Sequence, residues 1–163
     1  MIVNVEDARR RARRRLPKIF FDYIDGGAFA ETTLAASTAD FGRWRLEQRV
    51  LVDVAVRDLS TTFAGRRQRL PFMLGPVGFL GLYAGRGEIQ AAQAAHAAGT
   101  ELCLSSFSIA PIGAVRAATD GPLSFQLYVM KDRGLSDHFL AQAEAAGVDT
   151  LFLTVDTAIT SVR

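Results

Sequence analysis

The chain of 163 residues is 49% hydrophobic and 22% charged, with 19 basic and 17 acidic side chains and a formal charge of +2. That composition can bury a core and excludes a disordered tail, while the length falls well short of the roughly 250 residues of a closed eight-unit α/β barrel. One cysteine, Cys103, excludes an internal disulfide framework and a cysteine-based zinc site and suits a reducing compartment; no metal is expected.

Charge is unevenly placed. Residues 1–18 hold Arg9, Arg10, Arg11, Arg13, Arg14, Arg15 and Lys18 against Glu6 and Asp7, so the rest of the chain is net acidic. A nucleic-acid-binding surface spreads basic residues over the fold, so no nucleic-acid partner is expected, although the arginine segment could touch an anionic membrane surface. No run of about 18 uncharged apolar residues is present and residues 1–18 lack the apolar stretch of a signal peptide. The expected location is therefore cytoplasmic, with peripheral contact at the inner membrane through the arginine segment.

In chain order, residues 5–16 predict a helix with acidic residues in its first turn, interrupted by Pro17. Phe20 to Ile24 form a short apolar segment stopped by Asp25-Gly26-Gly27, and residues 31–39 predict a further helix. Val50-Leu51-Val52 and Ser60 to Phe63 look like strands, the second followed by an Ala64-Gly65 turn and Arg66 to Arg69. From residue 71 the pattern repeats: a short apolar run, a turn, then an alanine-rich amphipathic stretch. It predicts strands at 72–77, 101–105, 123–129 and 150–155 and helices at 87–98, 111–118 and 135–146, with Gly99 and Gly147 as helix-ending glycines. Residues 1–70 thus form a lead-in of helices and a β-hairpin, and 71–163 a main α/β body with a parallel sheet. Gly75-Pro76-Val77-Gly78 and Gly85-Arg86-Gly87 do not make a dinucleotide fingerprint. Periodicity alone leaves a doubly wound sheet and a partial barrel open; polar residues at strand ends favour the barrel.

Those polar residues are the chemical candidates. Ser105 ends the second strand beside Ser106 and Ser108; Gln126 and Tyr128 share one face of the third strand, and Thr154 and Asp156 one face of the fourth. Gln126 and Tyr128 either face a barrel interior, where their burial requires polar partners such as a ligand, or face solvent on an edge strand. His96 and His138 fall within helices and read as structural, Cys103 as a small core residue, and Asp156 as the cap of a turn.

Taken together, several segments resemble the amino-terminal half of the FMN-dependent 2-hydroxy-acid dehydrogenases and oxidases. They are residues 21–28 (FDYIDGGA), 46–51 (LEQRVL), 75–84 (GPVGFLGLYA) with Arg86-Gly87-Glu88, 104–106 (LSS), 125–128 (FQLY) with Lys131-Asp132-Arg133, and 154–157 (TVDT). Their order and spacing make the set specific, and residues 78–92 are most similar to the bacterial respiratory L-lactate dehydrogenase branch. The resemblance implies a partial (β/α)8 TIM barrel of about four βα units. It further implies FMN as cofactor and oxidation of an L-2-hydroxy acid, lactate by the branch, to the 2-keto acid. The backbone of Pro76, Val77 and Gly78 would lie against the flavin ring, and Ser105, Gln126 and Thr154 would hydrogen-bond it. Tyr23 and Arg163 would hold the substrate carboxylate, and Tyr128 its hydroxyl. The family's catalytic histidine and phosphate loops are expected beyond Arg163, so the chain by itself is expected to be inactive. At Ala158 to Val162 it departs from the proline and glycine common in the family. The electron acceptor would be a quinone, a cytochrome or oxygen, and the full-length protein a homo-oligomer. Two other readings remain at this stage: a non-catalytic half-barrel assembly module, and a basic contact module working through residues 9–18.

Overall fold

The computed structural model describes residues 1–156. Arg163 and the turn expected after Asp156 lie outside the described residues. The chain divides into two compact units, one on residues 1–55 and one on residues 56–156.

In the first unit, α1 (Val5–Arg15) starts where the Asn4 side chain accepts the Asp7 N–H at 2.9 Å, and carries Glu6 and Asp7 at its positive end and Arg13, Arg14 and Arg15 at its negative end. Pro17 then restarts the chain as α2 (Lys18–Asp25). Arg9 donates to both oxygens of Asp25, at 2.6 and 2.9 Å, tying the two helices together and holding the Asp25 carboxyl below the ordinary carboxylate range. α3 (Thr32–Asp40) runs into a single 3-10 turn, Phe41–Arg43. The strand expected at Val50-Leu51-Val52 does not form. Leu51 sits at φ +61° and both Val50 and Leu51 are exposed, so this apolar run has no ladder partner among the described residues. Branched side chains favour extended backbone, but a strand also needs a neighbour.

The second unit opens with the hairpin β1 (Thr61–Phe63) and β2 (Arg66–Gln68), turned by Ala64 and Gly65 at φ +48° and +76°. Positive φ at both turn residues matches the twist of an antiparallel pair. The strand expected at 72–77 shrinks to one residue: Leu74 donates to the Glu101 carbonyl at 2.8 Å and accepts from the Cys103 N–H at 2.9 Å. Two residues on, Pro76 has no N–H to continue the ladder. There follow α4 (Leu80–Tyr83), α5 (Gly87–Ala98), β3 (Leu102–Ser105), α6 (Ile112–Ala117), β4 (Leu123–Tyr128), α7 (Arg133–Ala145) and β5 (Leu151–Thr154). The three strands form a parallel sheet in the order β3-β4-β5, with Ser105 opposite Gln126 and Tyr128 opposite Thr154. Gly99 and Gly147, at φ +76° and +70°, end α5 and α7 as the sequence predicts.

Strand alternation sorts the residues into two faces. Leu102, Leu104, Leu123, Phe125 and Leu127 bury against Ala92 and Ala95 of α5, Ile112 and Val115 of α6, and Ala143 of α7. The other face carries Cys103, Ser105, Ser124 and Gln126, all buried. Cys103 is the small core residue expected; burial, with Glu101 adding, pushes its thiol up to about 12. The hairpin closes the amino-terminal end of the strands. Arg66 pairs with Glu101 at 2.5 Å and Asp149 at 2.9 Å, the Gln68 amide and the Ser124 hydroxyl donate to Glu101, and Phe63 stacks on Phe152. Glu101 is 1% exposed, and these donors offset the cost of burying its charge. A cleft of about 340 Å³ beside this network is lined by Arg66, Arg69, His96 and Thr100. The chemical candidates lie at the other end of the strands.

Candidate functional site

At the carboxyl ends of the strands, one side chain from each joins a continuous hydrogen-bonded row. The Ser105 hydroxyl donates to Gln126 Oε1 at 3.1 Å, the Ser106 N–H donates to the same oxygen at 3.3 Å, and Gln126 Nε2 donates to Thr154 Oγ1 at 2.9 Å. Gln126 is 3% exposed on the central strand, so the solvent-facing edge reading of this residue is wrong. The edge and the centre have the same alternation; only the pairing of β4 with strands on both sides distinguishes them. A carboxamide carries two N–H donors and a threonine hydroxyl one. The second Gln126 amide proton and the Thr154 hydroxyl proton have no hydrogen-bond partner among the described residues. The row therefore presents spare donors, and it suits a ligand edge rich in acceptors.

Tyr128 follows two residues after Gln126 on the same strand face, half-buried, its ring 5.4 Å from that of Phe107. Phe107 in turn lies 5.6 Å from Phe79, giving a ladder of three rings across three neighbouring segments. The loop after Leu74 is drawn in by this ladder. The Phe79 N–H donates to the Phe107 carbonyl at 2.8 Å, and Phe79 holds φ +57°, a left-handed conformation that costs a non-glycine residue about 1–2 kcal/mol. Just before it, a Cβ on Gly78 would touch Phe107 Cβ at 3.4 Å and come within 4.0 Å of Ser105 Oγ. These are ordinary van der Waals distances, so the backbone at Gly78 lies against the end of β3 with room for a Cβ. Pro76 and Val77 are exposed on the same extended loop.

Gly78, Ser105, Gln126, Tyr128 and Thr154 thus come together. Tyr23 lies on α2 in the other unit, half exposed, and Arg163 lies outside the described residues. His96 on α5 and His138 on α7 are exposed residues of the outer helical layer, as expected for structural histidines. Among the described residues, no group of three or more metal-ligating side chains is found. The sequence names Ser106 only as a neighbour of Ser105 and assigns it no role. Its hydroxyl donates to the Gln126 carbonyl at 2.6 Å and accepts the Tyr128 N–H at 3.1 Å, continuing the β3–β4 pairing one step past the end of β3 and fixing the backbone at Tyr128. The signal available was a second serine directly after a strand-ending serine, a side chain able to take over backbone hydrogen bonds.

A parallel α/β sheet whose polar residues converge with βα loops at the strand carboxyl ends defines an enzyme scaffold of the α/β class, the end at which such folds build their sites. The chain belongs to the FMN-dependent dehydrogenase family, whose pattern matches residues 12–163. It is 52% identical over 163 residues to an L-lactate dehydrogenase of Caulobacter vibrioides, matching 100% of this chain and 43% of that protein. It superposes on a soluble mutant of the membrane-associated (S)-mandelate dehydrogenase from Pseudomonas putida with a TM-score of 0.91 at 37% identity, covering 99% of this chain and 46% of that one. A lactate oxidase of Pediococcus acidilactici matches with a TM-score of 0.90 at 31% identity, over 98% of this chain and 45% of the other. The chain thus spans less than half the length of the curated relatives it matches.

Proposed function

We propose that this chain supplies the lead-in (residues 1–70) and the first four βα units (71–163) of a TIM-barrel enzyme that uses FMN to oxidise an L-2-hydroxy acid, lactate foremost, to the 2-keto acid. The observation that carries the reading is the Ser105–Gln126–Thr154 row, with its spare donors beside the backbone at Gly78. The edge of an isoalloxazine ring offers carbonyl oxygens and ring nitrogens as acceptors, which fits those donors. FMN, when bound, supplies the site that takes up the substrate's α-hydrogen as hydride.

The chain's own residues would divide the remaining work. The backbone of Pro76, Val77 and Gly78 lies against the ring, and Ser105, Gln126 and Thr154 fix its polar edge. The Tyr128 hydroxyl hydrogen-bonds the substrate hydroxyl and strengthens that bond as the carbonyl develops. By the family resemblance, Tyr23 and Arg163 would hold the carboxylate, the arginine through its planar fork. The proton acceptor and the phosphate-binding loops would come from barrel units other than these four. The complete protein is a homo-oligomer that passes electrons to a quinone, a cytochrome or oxygen. It contacts an anionic membrane surface through α1, on which no residue is buried; no described helix is long and apolar enough to cross a membrane. A membrane-associated relative supports the peripheral location.

The test is expression of the complete reading frame that carries this chain, with flavin absorbance and dye reduction measured against L-lactate, mandelate and glycolate. A yellow protein that reduces dye fastest with L-lactate is expected. Colourless protein that takes up no added FMN would refute the reading, and a preference for mandelate would refute the lactate assignment.

A further inference from the structure

Glu88 lies in the first turn of α5, yet its side chain is 1% exposed and works outside that helix. Its Oε1 accepts the Gly81 N–H at 3.0 Å and the Ile109 N–H at 2.9 Å. The Gly81 amide belongs to α4, which follows directly on the loop carrying Pro76, Val77 and Gly78, and the Ile109 amide belongs to the loop that leaves β3 after Ser105. The other oxygen, Oε2, is buried with no hydrogen-bond partner. Both amides that Oε1 accepts lie outside α5, so simple capping of α5 does not account for this side chain. The loops are also forced close at this point: a Cβ on Gly81 would stand 2.9 Å from Ile109 Cβ and 3.1 Å from Glu88 Oε2. Some 20 residues of sequence separate Glu88 from Ile109, so one oxygen sets the spacing of two loops that local backbone geometry cannot set.

We propose that Glu88 is a positioning residue: by clamping the Gly81 and Ile109 amides it holds the Pro76–Gly78 loop and the Ser105–Phe107 segment at the one spacing that admits the flavin ring. The inference rests on the FMN reading above. What the clamp needs is a single acceptor oxygen at the reach of a glutamate, and not a negative charge. A glutamine supplies that acceptor; a methionine of similar size does not.

In the complete holoenzyme, Glu88→Gln is therefore expected to keep FMN affinity and kcat close to wild type. Glu88→Met is expected to lose between about tenfold and a hundredfold in kcat, as small displacements of a reacting pair do, with weaker FMN binding and little change in substrate KM. Gly81→Ala, whose Cβ would press on Ile109 and on Glu88 Oε2, is expected to weaken FMN binding likewise, and it carries the test should the methionine variant fail to fold. Rescue by glutamine is the readout that a merely structural role would not predict. A glutamine variant as defective as the methionine one overturns the proposal. So does a folded Met or Ala variant with wild-type flavin affinity and kcat and only a lowered melting temperature. If wild-type protein takes up no FMN, the underlying reading fails and this one with it; a wild type that binds FMN beside variants that bind it equally well overturns this one alone.

Discussion

Replacing Gln126 with methionine removes the hub of the polar row while keeping an unbranched side chain of similar volume. Three groups lose a partner: the Ser105 hydroxyl, the Ser106 N–H and Thr154 Oγ1. They do not lose equally. Ser106 and Thr154 are partly exposed and water can replace Gln126 there, whereas Ser105 is 5% exposed and water cannot readily reach it. An unsatisfied buried donor costs about 1–3 kcal/mol and each solvent-replaceable bond about 0.5 kcal/mol, so the expected destabilisation is about 2–4 kcal/mol. In a complete protein more than twice the length of this chain, that lowers the melting temperature by roughly 2–5 °C. The assay is thermal unfolding followed by circular dichroism on the complete protein without flavin, paired with an FMN titration by fluorescence quenching. Flavin affinity is expected to fall as well, because the methionine removes a ring-facing donor. A melting temperature within about 1 °C of wild type would refute the claim that the row is buried and mutually satisfied.

Tyr128→Phe in the complete enzyme is expected to lower turnover by roughly 10- to 150-fold through loss of one hydrogen bond that strengthens in the transition state, with FMN content unchanged. Steady-state kinetics and flavin absorbance check both halves. Cys103, 2% exposed and with its thiol raised by burial, is expected to react with iodoacetamide at pH 8 at least about a hundredfold more slowly in the native protein than after unfolding, which mass spectrometry of timed aliquots reads directly. Glu101→Ala leaves the buried Gln68 and Ser124 donors without their acceptor and Arg66 with Asp149, and is expected to cost about 2–4 kcal/mol, measured by urea unfolding. Glu101→Gln, which keeps an acceptor, is expected to cost less.

How far the sequence could be read depended on the range of the information needed. The βα alternation after residue 71 was legible because each helix and strand announces itself within about ten residues, and the turn glycines at 99 and 147 punctuate it. Val50-Leu51-Val52 misled because an apolar branched run states a propensity and says nothing about whether a partner lies alongside. The 72–77 segment reduced to Leu74 because Pro76 removes the donor its ladder needs, a cue that was present and underweighted. At the candidate site, residue types and face alternation were enough to single out Ser105, Gln126, Tyr128 and Thr154. They could not show that Gln126 sits centrally, since that depends on β5 pairing from 25 residues downstream. Glu88 and Ser106 were invisible as clamps because their targets are backbone amides and carbonyls, which every residue possesses and no composition records.

The hairpin that stoppers the amino-terminal end of the sheet has a consequence for biosynthesis. Arg66 reaches Thr150 across 84 residues of chain, at 3.2 Å, and its ion pair to Asp149 closes a loop of nearly the same size. At a translation rate of about 5–20 residues per second, the ribosome delivers those partners roughly 4–17 s after Arg66 itself. During that interval the stopper can engage Glu101 and Gln68's side of the network but not its far wall, and Phe63 has no Phe152 to stack upon. The nascent polypeptide therefore waits with its first parallel strands formed and its lower rim ajar. Slower decoding between codons 101 and 149 would prolong that exposure and favour chaperone capture, whereas a pause placed just after codon 156 clears the ribosome exit tunnel would let the stopper seat first.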